Sequence, residues 1–179
     1  MQVNDLIFKE LIKRGHSVED GKRVWNLGDS KLHYLTPEQA QAYLDLVASE
    51  GYRDRTAKAE LSLIDKNFPK IMEKVLNGSS INIIDIGCGN GEKAIVPIEE
   101  LSKKVKLRYC PVDISSYMVS KAIKKMKSLD KGEIVDFNWN ISDFDNLENI
   151  AALLRDPEFR KNLLLFFGGT VKNFDIHEV

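Results

Sequence analysis

Apolar and polar positions along this chain fall into two regimes. Before about residue 78 the apolar residues recur at helical spacing; from Ile81 onward, short β-branched or leucine-rich runs alternate with amphipathic stretches. In the first regime, Leu6, Ile7, Leu11 and Ile12 predict a helix from about Val3 to Lys13, closed by Gly15. Residues 16–34 read as irregular, with Trp25 and Tyr34 as anchors. Thr36-Pro37-Glu38-Gln39 then gives a helix start, with threonine at the cap, proline at the first helical position and glutamine three residues after the cap. Ala40, Tyr43, Leu44 and Val47 fall on one face of it. A third helical stretch runs from about Thr56 to Leu76, with Leu61, Ile64, Phe68, Ile71 and Val75 apolar and Pro69 kinking or splitting it.

In the second regime, Ile81, Ile83, Ile84 and Ile86 predict a strand buried on both faces of a parallel sheet. The series continues with a helix from about Glu92 to Lys103, a strand ending in Asp113, a helix from about Ser116 to Leu129 closed near Gly132, a strand Val135 to Ile141, a helix from about Asn146 to Leu154, and a strand Leu163 to Phe167. Such β-α-β-α-β-α-β alternation predicts an α/β, Rossmann-like, doubly wound sheet. Right-handed crossovers and one reversal after the first strand give the order 3-2-1-4, with a ligand crevice at the carboxyl ends of strands one and four. The expected organisation is an N-terminal helical segment over 1–78 followed by the Rossmann-like domain over 79–179.

The candidate chemistry sits where the first strand ends. Gly87, Gly89 and Gly91 follow Ile86 at once, so the backbone can turn tightly and approach a ligand, and the helix opening at about Gly91 or Glu92 presents free N–H groups to it. A dinucleotide loop would read G-x-G-x-x-G, but Glu92 stands where its third glycine belongs, and Asp85 and Glu92 suit a cation better than a pyrophosphate. Asp113 ends the second strand about where a doubly wound fold places the carboxylate that binds ribose hydroxyls; the alternative is that it caps the following helix.

Composition narrows the partners. The 179 residues carry 26 basic and 27 acidic side chains, a net charge of −1, so no global field draws the chain to nucleic acid. Lys121, Lys124, Lys125 and Lys127 read as the solvated face of a helix. No apolar run reaches membrane-spanning length, no signal-peptide pattern opens the chain, and Cys88 and Cys110 lack metal or disulfide spacing, which leads us to expect a reduced, cytoplasmic protein. His16, His33 and His177 form no cluster with Asp, Ser or Cys, and no metal site is expected.

The D-x-G-x-G-x-G loop resembles motif I of the class I S-adenosylmethionine-dependent methyltransferases, whose ligand carries a cationic sulfonium and a free amine. Three segments resemble more narrowly the histidine-specific methyltransferases, which trimethylate the α-amino group of histidine on the way to ergothioneine: the glycine loop with Glu92-Lys93 is similar to "GSGTGEKT", CPVDIS to "VPVDIS", and LLLFFGGTVKNFD to "LFLGSTIGNF". The resemblance implies a small-molecule substrate and S-adenosylmethionine, or its product S-adenosylhomocysteine, on Asp85, Gly87, Cys88, Gly89, Gly91, Lys93, Asp113, Ile114 and Gly168. It also implies adenine contacts from Asp143 and Phe144, which could instead be a helix cap. On the substrate side it implies Asn173 and, from the likeness of GYRDRT to "YYxTRTE", Tyr52, which could instead be a packed aromatic.

A complete sheet of this class has more strands than the four readable here, and strand four would be a very hydrophobic edge. We therefore expect a fragment, a truncated domain, or a member completed by another chain, with strand four paired in a homodimer or covered by the N-terminal helices. A non-catalytic S-adenosylmethionine-binding module and an NAD-linked oxidoreductase remain alternative functions.

Overall fold

The N-terminal segment opens with α1 (Val3–Arg14), whose last turn is closed by Gly15 at φ 76°, its N–H on the Leu11 carbonyl at 3.1 Å. The computed structural model describes residues 3–25, 30–34, 36–75, 78–142 and 146–168. Residues 16–34 are not wholly irregular: β1 (Ser17–Glu19) and β2 (Lys22–Val24) make an exposed antiparallel hairpin. Asp20 and Gly21 turn it with φ of 49° and 71°, the two positive angles a two-residue hairpin turn requires.

Thr36 starts α2 (Pro37–Ala48) as the sequence predicts: its side chain accepts from the Gln39 N–H at 3.3 Å, and the Gln39 side chain accepts from the Thr36 N–H at 3.1 Å. A short turn α3 (Glu50–Tyr52) and a wide π-turn (Arg53–Ala57) lead into α4 (Lys58–Val75). The helix runs through Pro69 without a break, so the expected split is absent, and Thr56 lies in the π-turn instead of starting the helix.

The sheet is built on β3 (Ile81–Ile86), all six residues of which are buried. A 3-10 turn (Glu92–Ala94) and α5 (Ile95–Ser102) lead to β4 (Leu107–Val112), and α6 (Ser116–Leu129) to β5 (Glu133–Ile134). The series ends with α7 (Leu147–Leu153) and β6 (Lys161–Phe166). All neighbours are parallel in the order β5-β4-β3-β6, the predicted 3-2-1-4. Ile81 and Ile83 face Phe68 and Met72 of α4, Ile98 and Leu101 of α5, and Met126 of α6. On the other face Ile84 and Ile86 meet Ile150 of α7 and Leu154 just beyond it. Each such isoleucine contributes about 1.5–3 kcal/mol by leaving water.

The third strand departs from expectation. Val135 to Ile141 is not a continuous strand: pairing stops after Ile134, residues Asn138–Asn140 make a 3-10 turn, and contact resumes at a single Asp113–Ile141 bridge. Arg108 pairs with Glu133, an offset of 25, which would put residue 138 opposite Asp113; Ile141 is there instead, so the excursion inserts three residues. Asn140, buried, holds it by donating to the Pro111 carbonyl at 2.7 Å and the Val135 carbonyl at 3.1 Å.

Candidate functional site

The turn after β3 is tied to the end of β4. Gly87 (φ 62°) and Cys88 donate their N–H groups to the Val112 carbonyl at 2.8 and 3.1 Å. Gly89 (φ 52°) donates to Asp113 Oδ2 at 3.0 Å, and Gly91 (φ 76°) to the Cys88 carbonyl at 2.9 Å. The three glycines differ in role. A Cβ on Gly89 would meet nothing within 4 Å, so that side of the loop is open, whereas a Cβ on Gly91 would stand 3.1 Å from Ala122 Cα and 3.2 Å from Met126 Cε. Gly91 therefore lets the loop pack against α6. Nor does the helix opening present all its donors: the Glu92 N–H is taken by Asn90 Oδ1 at 3.1 Å.

Among the described residues Asp113 is held in place by backbone groups. Its Oδ1 accepts from the Ser115 N–H at 2.9 Å, opposite the bond from Gly89, while its own N–H donates to the Asn140 carbonyl at 3.0 Å. The cap of α6 is Ser115, its hydroxyl accepting from the Met118 N–H at 3.5 Å, and Asp113 supports that helix start only through the Ser115 N–H. Burial pushes the Asp113 carboxyl up, against the pull of the N–H groups of Ser115, Gly89 and Ile114.

Asp85 is 3 % exposed, and its Oδ2 accepts from the Tyr109 hydroxyl at 2.7 Å. Burial pushes its carboxyl up to about 7; the Tyr109 bond opposes the rise, the Asp113 charge adds to it, and Lys93 opposes it. Lys93 Nζ lies 2.5 Å from Glu60 Oε2 on α4, so this lysine ties the glycine loop to the N-terminal segment. It also abuts the end of β6, where Gly168 (φ 78°) leaves no room for a Cβ beside Lys93 Nζ. Cys88 is buried against α6 with Val119, Ala122 and Ile123, and burial pushes its thiol well up.

Above this crevice the N-terminal segment gathers three tyrosines. The rings of Tyr34 and Tyr43 meet edge to face, centroids 5.5 Å apart. Burial first, then Tyr34, Tyr52 and Glu60, and a hydrogen bond with Tyr52 push the Tyr43 phenol up to about 12. Tyr34 is raised by burial and by the charges of Asp113 and Tyr52. Tyr52 is thus drawn together with Tyr34 and Tyr43, and of the three it is Tyr34 that feels the Asp113 charge. Tyr34 and Tyr43 were legible only as an anchor and a helix-face residue, because nothing in spacing says that two helices and a turn converge here. Asp143, Phe144 and Asn173 lie outside the described residues, and among the described residues no group of three or more potential ligands could hold a metal.

The profile of the histidine-specific, S-adenosylmethionine-dependent methyltransferase family matches residues 40–179. The chain belongs to that family. Its cofactor is S-adenosylmethionine, so the NAD-linked alternative falls. The open side of Gly89 and the fixed Asp113 carboxylate fit such a group. No match was found among curated proteins. Among solved structures, the chain is similar to the CurJ carbon methyltransferase, at 19% identity and TM-score 0.40 over 62% of this chain and 28% of that one. It is also similar to a candidate S-adenosyl-L-methionine-dependent methyltransferase from Methanococcus maripaludis, at 22% identity and TM-score 0.30 over 57% of this chain and 42% of that one. The chain therefore spans less than half the length of either structure. No helix among the described residues is long and apolar enough to cross a membrane.

Proposed function

We propose that this chain carries the cofactor half of an enzyme that methylates the amine of a small amino acid, with a histidine-like α-amino group as the acceptor. The observation that carries the reading is the Asp113 carboxylate, fixed between the Gly89 and Ser115 N–H groups at the carboxyl ends of parallel strands. This is where a doubly wound sheet binds a nucleoside. Each carboxylate oxygen keeps lone-pair capacity beyond its backbone bond, which suits a pair of ribose hydroxyls.

S-adenosylmethionine supplies an electrophilic methyl group on a sulfonium. The chain's own part is then to hold two reactants in line and keep water out, which alone can remove several kcal/mol from a barrier. Gly87, Gly89 and Asp113 would position the nucleoside, Asp85 would set the negative potential under the cation, and Lys93 would anchor the loop through Glu60. Ile114, Asp143, Phe144 and Gly168 complete the cofactor side in this reading, and Cys88 and Gly91 act by packing the loop. Asn173 and Tyr52 belong to the acceptor side. Tyr34, which feels the Asp113 charge, joins them, with Tyr43 edge to face against it.

Transfer of labelled methyl from S-adenosylmethionine to histidine, set beside other amino acids and simple amines, tests the acceptor class. Labelling of histidine or a close analogue is expected, with Tyr52→Phe raising the apparent acceptor constant and leaving S-adenosylhomocysteine affinity nearly intact. Labelling of a protein or nucleic acid and of no amino acid would overturn the assignment.

A further inference from the structure

Asp85 places a carboxyl group in an apolar slot. It lies near the end of β3, every residue of which is buried, and is itself 3 % exposed. Its register partners on the neighbouring strands are Pro111 and Leu165, neither of which can donate a hydrogen bond from its side chain. The Tyr109 hydroxyl, two residues before Pro111 on β4, donates to Asp85 Oδ2 at 2.7 Å. An ionised carboxylate taken this far from water is costly unless a cation or several donors face it, and one phenol is neither.

Burial pushes the carboxyl up to about 7 in spite of the Tyr109 bond, and the groups around it do not supply a free cation. Asp113, just past the end of β4, has the same sign and adds to the rise. Cys88 in the glycine loop and Cys110 on β4 are thiols that burial pushes up, so they stay protonated and bring no charge. Lys93, in the 3-10 turn, is the cation that acts on Asp85, and its Nζ already lies 2.5 Å from Glu60 Oε2 on α4. Two residues beyond Asp85 begins the glycine loop, over which the proposed function places a ligand carrying a sulfonium and a free amine. A ligand cation there supplies what the carboxylate lacks.

We propose that Asp85 is protonated in the unliganded protein and gives up its proton when the cationic arm of the cofactor binds, so that cofactor binding is coupled to proton release. The inference rests on the proposed function and adds to it that Asp85 is a charge switch, neutral without ligand and ionised beneath the cation. The balance is one proton passed to solvent for each cationic ligand bound, with no bond made or broken in the ligand. Affinity for the cationic cofactor then rises with pH up to about 7 and levels off above it, because below that value part of the binding energy goes into ionising the carboxyl. A nucleoside that carries no cation gains nothing from the ionised form, so it binds without releasing the proton.

Titration calorimetry of the full chain at pH 6, in two buffers of different ionisation enthalpy, counts the protons released. At that pH the ligand's own amine, an α-amino group with an ordinary pKa of about 7.7–8.0, is already charged and contributes none. S-adenosylmethionine should release close to one proton and bind several-fold more weakly at pH 6 than at pH 7.5. The neutral nucleoside 5′-methylthioadenosine, which lacks both sulfonium and amine, should release none and bind alike at both. Asp85→Asn should abolish the release and the pH dependence with S-adenosylmethionine; if it does not fold, Tyr109→Phe, which removes the bond favouring ionisation, should move the rise in affinity to higher pH. Binding of S-adenosylmethionine without proton release, release that persists in Asp85→Asn, a rise that Tyr109→Phe leaves in place, or equal release with 5′-methylthioadenosine, which would assign the proton to Asp113, would overturn the inference and leave the proposed function standing. Absence of S-adenosylmethionine binding at either pH would overturn both.

Discussion

Asp85 carries a buried and uncomfortable charge. It projects from a fully buried strand and has one hydroxyl, that of Tyr109, to stabilise its ionised form directly. Its folded-state pKa of about 7 stands above the ordinary 3.8, so the folded state holds the proton more tightly than the unfolded one. The stability this confers is complete below about 3.8 and is lost as pH rises towards about 7. Chemical denaturation of the unliganded protein should therefore show stability falling over that window and Asp85→Asn removing much of the slope. Tyr109→Phe removes the bond that favours ionisation, so it should carry the loss to higher pH; a slope identical in all three proteins would exclude Asp85 as its source. Gly91 makes a separate case. Gly91→Ala places a side chain in left-handed backbone, at about 1–2 kcal/mol, and presses it onto Ala122, so a clear drop in thermal stability is expected; an unchanged melting temperature would mean that loop and α6 are not in contact.

Among the elements, those whose limits are set locally could be read before any fold was known. β3 is bounded by polar Ser80 and by Gly87, α2 by the Thr36 cap, and α6 by Ser115 and the left-handed Asp130, and each lies within a residue or two of its reading. Thr36→Ala should cost about 1 kcal/mol in denaturant unfolding, the usual worth of an N-cap; no loss would mean the cap contributes nothing. Elements limited by tertiary partners were not legible. β5 stops early because the Asn140 side chain finds acceptors on β4 and on Val135, and no periodicity carries that information. The β1–β2 hairpin was missed although Asp20-Gly21 is a turn signal, since its strands are three residues each and lack an apolar face to alternate against. Within the sheet, β3 is bonded on both sides, and β6 to β3 alone among the described residues. Native-state hydrogen exchange should find β3 amides protected to the level of global unfolding and alternate β6 amides exchanging sooner; uniform protection of β6 would show that its outer edge is covered, by a second copy of the chain or otherwise.

At the scale of the molecule, two halves read very differently in sequence meet at one crevice. The glycine loop and Asp113 were recognisable because a parallel sheet forces its ligand to the carboxyl ends of its strands, where short-range motifs sit. The contribution of the N-terminal segment was not, since Tyr34, Tyr43, Tyr52 and Glu60 come together only after α2 docks on α6 and α4 on α5. The Lys93–Glu60 pair is the point at which the halves are joined by charge. In the proposed function both halves converge on a nucleoside-bearing cation held by Asp113. The direct test is calorimetric titration of the wild type and of Asp113→Ala with S-adenosylmethionine, S-adenosylhomocysteine and NAD. Binding of the first two, no binding of NAD, and a loss of about 1–3 kcal/mol in the variant are expected, the range for leaving polar partners unmatched; affinity for NAD, or S-adenosylhomocysteine affinity indifferent to Asp113→Ala, would contradict the account.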